Sequence, residues 1–166
     1  MARRPADSPV SISVFDRLID DEPKTRTEAP PTRVQSMREL KAALRRDLEW
    51  LLNTRQPLYP PPDGSEELPR SLYNYGLPDI TSMSVSSIED REELARRMET
   101  ALAVFEPRLA NPKVQFVPAG EGKTHMLRFL IEGMLRVDPA PEYVTFDTVL
   151  ELVNGGYDVK GDGGAR

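Results

Sequence analysis

Glu106-Pro107-Arg108 is the stretch of this chain where residue type and spacing most suggest chemistry. A carboxylate and a guanidinium flank a proline. Three roles suit that arrangement: half of a carboxylate pair for glycoside hydrolysis, a buried structural ion pair, or a rigid bipolar plug that fits another protein. Pro107 has no N–H and disfavours α geometry in the residue before it, which predicts a helix ending near Phe105 and an extended Glu106. Side chains two apart in an extended chain share a face, so Glu106 and Arg108 point the same way, opposite Pro107. The residues alone leave the internal pair and the interface plug open. The hydrolase role fits worse, because a guanidinium beside a carboxylate favours its ionised form and a general acid needs the opposite.

The other chemical candidates are thinner. His125 is the single histidine, it begins a strand after a glycine-rich turn, and it has no elbow motif beside it, so it reads as structural or exposed. With one His and no Cys, and with no acidic cluster at calcium-loop spacing, no metal site and no thiol chemistry is expected. Gly120-Glu-Gly-Lys123 lacks phosphate-loop spacing and joins two strands, so it reads as a turn. No cofactor is implied.

Charge narrows the partners. The 166 residues carry 22 basic and 27 acidic side chains, a net charge of −5. Residues 1–57 hold 11 basic and 9 acidic groups, so neither part has the basic excess that drives phosphate binding. Nucleic acid is therefore not an expected partner. Arginine outnumbers lysine 17 to 5, a bias that suits protein interfaces, although GC-rich coding produces it equally well. No run approaches the ~18 apolar residues of a membrane span, and no apolar core follows the arginines near the N-terminus as in a signal peptide. The expected location is cytoplasmic.

These groups are positioned by elements whose periods can be read directly. "SISVFDRLIDDE", residues 11–22, sets Val14, Phe15, Leu18 and Ile19 at helical spacing, in a segment too short to stand alone and so expected to dock on this chain or another. "PKTRTEAPPTR", residues 23–33, reads as a linker, making residues 1–33 a tethered arm before a domain at 34–159 and a disordered tail at 160–166. Ser36 and Glu39 match a capping box for a first helix with the apolar stripe Met37, Leu40, Leu44, Leu48, Leu51 and Leu52. Trp50 reads as a core residue flanking that stripe. Pro57 ends the helix.

Residues 57–84 lack a period; "SLYNYGLPDI" is apolar enough to be an ordered loop on the core, with a disordered "PPPDGSEE" before it. Ser86 and Glu89 repeat the capping spacing for a second helix with Leu94, Met98, Ala101, Leu102 and Phe105 as its stripe. The period then becomes two: Val114 and Phe116, then Leu127, Phe129 and Ile131, then "FDTVLELV" and "YDV" joined at an Asn-Gly hairpin turn. Two main helices followed by an antiparallel β-meander make the fold class α+β, a single domain with an N-terminal arm. A meander leaves an edge strand, and the segment around 144–159, including Val149 and Val153, is expected near it, open to a strand from a sheath subunit.

Five blocks, taken in order, resemble the TssE family of type VI secretion baseplate proteins, relatives of the lysozyme-like wedge protein of contractile phage tails. They are "SVFDRLIDDEP" (13–23), "LKAALRRDLEWLLNTR" (40–55), "SLYNYGLPDITSMS" (71–84), "FEPRL" (105–109) and "LRVDPAPEYVTFDTVLELVNGGYDV" (135–159). The resemblance implies a non-enzymatic baseplate subunit in the cytoplasm, at a baseplate docked on the inner membrane but not inserted in it. It would join the wedge proteins TssF and TssG with TssK, and start or anchor a sheath of TssB and TssC. It also carries the family's Glu-Pro-Arg onto Glu106, Pro107 and Arg108 as partner-binding residues, a role expected as well for Phe15 and Leu18 of the arm and for Val149 and Val153. Departures are the proline-rich "YPPPDGSEE" and Tyr73, where the family often has an aliphatic residue. The alternative class is a carboxylate-based peptidoglycan hydrolase.

Overall fold

The computed structural model describes residues 8–18, 24, 30–59, 61, 62, 64–79, 87–118, 126–151 and 155–161. After a one-turn helix α1 (Val14–Leu18) come two long helices, α2 (Arg33–Asn53) and α3 (Ile88–Phe105), and then four strands, β1 (Leu109–Val117), β2 (Met126–Leu135), β3 (Glu142–Glu151) and β4 (Gly156–Lys160). The strands lie in sequence order in one antiparallel sheet, so the fold is α+β with a meander, as the change of period from about 3.6 to 2 implies.

Both helices cover one face of the sheet, α3 against β1 and α2 against β4. Leu40, Leu44, Leu48, Leu51 and Leu52 of α2 and Leu94, Met98, Ala101 and Leu102 of α3 are buried, with Met37 and Phe105 partly so. They meet Leu127, Phe129 and Ile131 of β2, Val144, Phe146 and Leu150 of β3, and Tyr157 and Val159 of β4. The opposite face of the sheet carries alternate residues such as Arg128, which donates from Nε to Asp147 across the β2–β3 pair at 2.6 Å.

The helix starts differ from the capping pattern expected. α2 begins at Arg33, inside the supposed linker, with Thr32 as N-cap in a full capping box with Gln35. Ser36 is instead a buried helical residue whose hydroxyl accepts the Val10 N–H at 2.9 Å, because the arm lies against this turn. α3 is capped by Ser87, whose hydroxyl accepts from Asp90; Ser86 lies outside the described residues. Trp50 is not a core residue but 56% exposed, with the Arg46 guanidinium 5.2 Å over its ring.

The loop between the helices is anchored on the end of α2. Leu77 is fully buried, and the segment bonds as a short parallel bridge: Leu77 N–H to Thr54 C=O and Gln56 N–H to Leu77 C=O, each 2.9 Å. Gln56 adds two side-chain donations, to Asn74 and Gly76 carbonyls. Gly76 has φ +106 and passes so close to α2 that a Cβ there would sit 2.3 Å from the Thr54 carbonyl oxygen. Leu72, by contrast, is exposed, so only part of this loop packs as expected. Within "PPPDGSEE" the described residues make a turn at Gly64, with Ser65 N–H donating to Pro62 C=O.

Candidate functional site: the Glu-Pro-Arg corner

α3 stops at Phe105 and β1 starts at Leu109, so the three residues between them form the corner that turns helix into strand. Glu106 is the C-cap at φ −121°, ψ 75°, outside helical geometry, as the following proline requires. Its N–H still closes the helix on Leu102 C=O at 2.9 Å, and its C=O accepts Leu109 N–H. The Arg108 carbonyl accepts the Arg136 N–H at 2.8 Å, extending the β1–β2 ladder to the corner.

The two side chains share a face and close on each other. Arg108 donates from Nε to Glu106 Oε1 at 2.6 Å and from Nη2 to Oε2 at 2.5 Å, the bidentate fork that a guanidinium suits. Glu106 is only 5% exposed, and its second carboxylate contact is the Arg108 N–H. Both oxygens are therefore engaged within the chain, an arrangement for bracing a corner rather than for handing a proton to a substrate.

The pair does not end there. Arg108 Nη2 also donates to Asp47 Oδ2 at 2.6 Å, from the middle of α2. The other oxygen of Asp47 accepts from Arg46, and Arg46 Nη2 reaches Asp16 of α1 at 2.7 Å. Five alternating charges, Glu106, Arg108, Asp47, Arg46 and Asp16, thus connect the α3–β1 corner, α2 and the arm. The cations are held charged by their partners: Arg108 is pushed above its ordinary value chiefly by Glu106 and then Asp47, against the effect of its burial, and Arg46 chiefly by Asp16. The Asp16 carboxyl lies below its usual range, first through the Ser13 hydroxyl and then through Arg46. Tyr75 packs edge-on against Phe105 beside this knot, and its hydroxyl is pushed up by burial and by the negative charge of Asp47 and Glu106.

Asp47 and Arg46 escaped the sequence reading. One weak signal existed: Arg45-Arg46-Asp47 lies beside the buried stripe, between Leu44 and Leu48, so its charges border the core. The remaining expected site residues are not gathered here. Phe15 and Leu18 are exposed on α1, and Val149 is half-buried on the open sheet face, paired with Arg128 and Asp158. Val153, His125 and residues 120–123 lie outside the described residues.

The edge expected to receive a strand is already occupied. β3 is interior and β4 is the edge, but the outward N–H and C=O of Tyr157 are both met by the Asn53 side-chain amide at 2.8 Å. Arg45 covers the Val159 carbonyl. α2 thus shields the edge with side chains, a device that blocks pairing with another chain.

At the other edge β1 carries a bulge at Asn111, φ 51°, followed by Pro112, which has no N–H, and Val114 N–H is taken by Glu99.

The model of the baseplate wedge protein gp25 family matches residues 38–140. The chain belongs to the baseplate wedge family. The matched span takes in most of α2, α3, the Glu106–Arg108 corner, β1 and β2, while the arm and the β3–β4 hairpin lie beyond it. Membership places the chain among structural baseplate proteins, which work by contact with other baseplate and tail components. A comparison with curated proteins found no match. Among the described residues no helix is long and apolar enough to cross a membrane, and no cluster of His, Cys, Asp and Glu has the makings of a metal site.

Proposed function

We propose that this baseplate wedge protein serves a type VI secretion system: a non-enzymatic TssE-type subunit that joins TssF and TssG, meets TssK, and anchors or initiates the TssB–TssC sheath at a baseplate docked on the inner membrane from the cytoplasm. Family membership sets the class, and the TssE-like sequence blocks narrow it to the secretion machine. The observation that carries the reading is the corner itself. Glu106, buried and doubly bonded, fixes Arg108 so that its outer side, with exposed Pro107, stands in one orientation at the end of α3. Pro107 and Arg108 are the partner-facing members of the motif, and Glu106 acts through Arg108.

Phe15 and Leu18 of the arm supply a second contact, and Val149 with Val153 a third, on the hairpin that follows the matched span. Two contacts on one chain raise avidity through effective concentration. With β4 shielded by Asn53, the hairpin engages sheath through its open face unless α2 releases the edge.

Co-expression of the tagged chain with TssF and TssG, then with TssB and TssC, tests the reading. Co-purification with the wedge pair is expected, without turnover of peptidoglycan; turnover lost in Glu106→Gln would overturn it in favour of the hydrolase.

A further inference from the structure

We infer that α1 is a docking ridge: Val14, Phe15 and Leu18 enter an apolar groove with a basic rim on another protein of the baseplate, while Asp16 and Arg46 hold the ridge in place. The inference rests on the baseplate reading for where that partner is found. Its physical ground is the orientation of α1. A short amphipathic segment that served only its own domain would turn its apolar side inward. Here Asp16 faces the body, its side chain 9% exposed, and Val14, Phe15 and Leu18 stand 64%, 63% and 77% exposed.

The arm is secured without them. Val10 N–H donates to Ser36, Arg33 donates to the Ser8 carbonyl, and Val10 and Ile12 pack on the core. Ser13 caps α1 by accepting the Asp16 N–H at 3.0 Å and donates to its carboxylate at 2.5 Å, while Arg46 takes the other carboxylate oxygen. Five residues do not hold a helix in water, so these polar contacts keep the turn formed before any partner arrives. The ordering cost of binding is thereby reduced. Residues at i, i+1 and i+4 lie on one side of a helix, the pattern of a segment laid into a groove.

Charge states the chemistry of the rim. Residues 13–22 hold Asp16, Asp20, Asp21 and Glu22 against Arg17 alone. Asp16 is engaged by Arg46, which leaves three carboxylates and one guanidinium to complement a basic rim. A second copy of this chain, at net −5, is the less suitable occupant.

The test measures affinity of the full-length chain for co-expressed TssF–TssG, comparing wild type with the V14S/F15S/L18S variant and with Asp16→Asn. The ridge variant is expected to bind about tenfold more weakly or worse, with an unchanged melt because the replaced side chains are exposed. Asp16→Asn is expected to weaken binding roughly threefold through a looser ridge, and salt raised from about 0.1 to about 1 M to weaken the wild-type complex. Equal affinity of wild type and ridge variant overturns the inference and leaves the baseplate reading standing. A wild type that binds neither wedge protein overturns both. Sedimentation that shows a dimer dispersed by the ridge substitutions also overturns it, since the occupant is then a second copy.

Discussion

Arg108 donates to Asp47 at 2.6 Å although 61 residues separate them, and this bond joins the α3–β1 corner to the middle of α2. Asp47 in turn holds Arg46, whose third partner is Asp16 of the arm. A perturbation at the corner therefore reaches the arm through charged side chains, without passing through the apolar core.

The first consequence is coupling. Removal of Asp47 and Arg108 singly and together should give a double-mutant interaction of about 0.5–3 kcal/mol, the range for residues in one network. Urea unfolding of the four proteins measures it. Asp47→Ala should also raise hydrogen exchange in α1, because Arg46 loses one of the two carboxylates that position it for Asp16.

The arm clamp should be acid-sensitive. The folded value of Asp16 is depressed, so the stability it contributes is fully present above the unfolded value of about 3.9 and is lost as pH falls through the lower folded value. Trp50 is the single tryptophan and lies under Arg46, so its fluorescence reports on the clamp. Emission should hold steady from pH 8 to about 5 and change below about pH 4, before the loss of far-UV helical signal. In Asp16→Asn the early change should be absent.

Gly76→Ala should be costly although the residue is small. The site has positive φ, and the added carbon would meet the Thr54 carbonyl oxygen at 2.3 Å. A loss of about 2 kcal/mol is expected, with the end of α2 and the buried Leu77 most disturbed. Thermal melts with exchange at Leu77 check it.

Asn53→Ala uncovers the β4 edge. The N–H and C=O of Tyr157 lose their partner, for about 1–3 kcal/mol, and the exposed edge becomes a template for pairing. Light scattering should show self-association that wild type lacks. Stronger recruitment of sheath proteins by the folded fraction would indicate that α2 regulates this edge.

Much of this fold was legible because its elements are periodic. The Leu40–Leu52 stripe, the Leu94–Phe105 stripe and the alternation of Leu127, Phe129 and Ile131 each have a buried face that only one geometry satisfies. The helix end at Phe105 was legible because Pro107 acts locally. Asp47 was not, since a carboxylate among 27 gives no sign of a partner 61 residues away. The capping error at Ser36 has the same origin: its hydroxyl is claimed by Val10, a contact from 26 positions earlier. Trp50 misled because hydrophobicity alone points inward, whereas its neighbour Arg46 offers the ring a cation at the surface. The edge was misjudged because its shield consists of side chains from α2, invisible to a strand pattern.

The most direct test of the account is Arg108→Ala, read by thermal melt and by capture of TssF and TssG in parallel. Leaving Glu106 buried without its guanidinium should cost about 3–5 kcal/mol, a fall of roughly 6–20 °C in Tm for a chain of this size. Capture should weaken as well, even at temperatures where the variant is folded, because Arg108 is both brace and contact. An unchanged Tm would contradict the brace, and undiminished capture by the folded variant would contradict the contact.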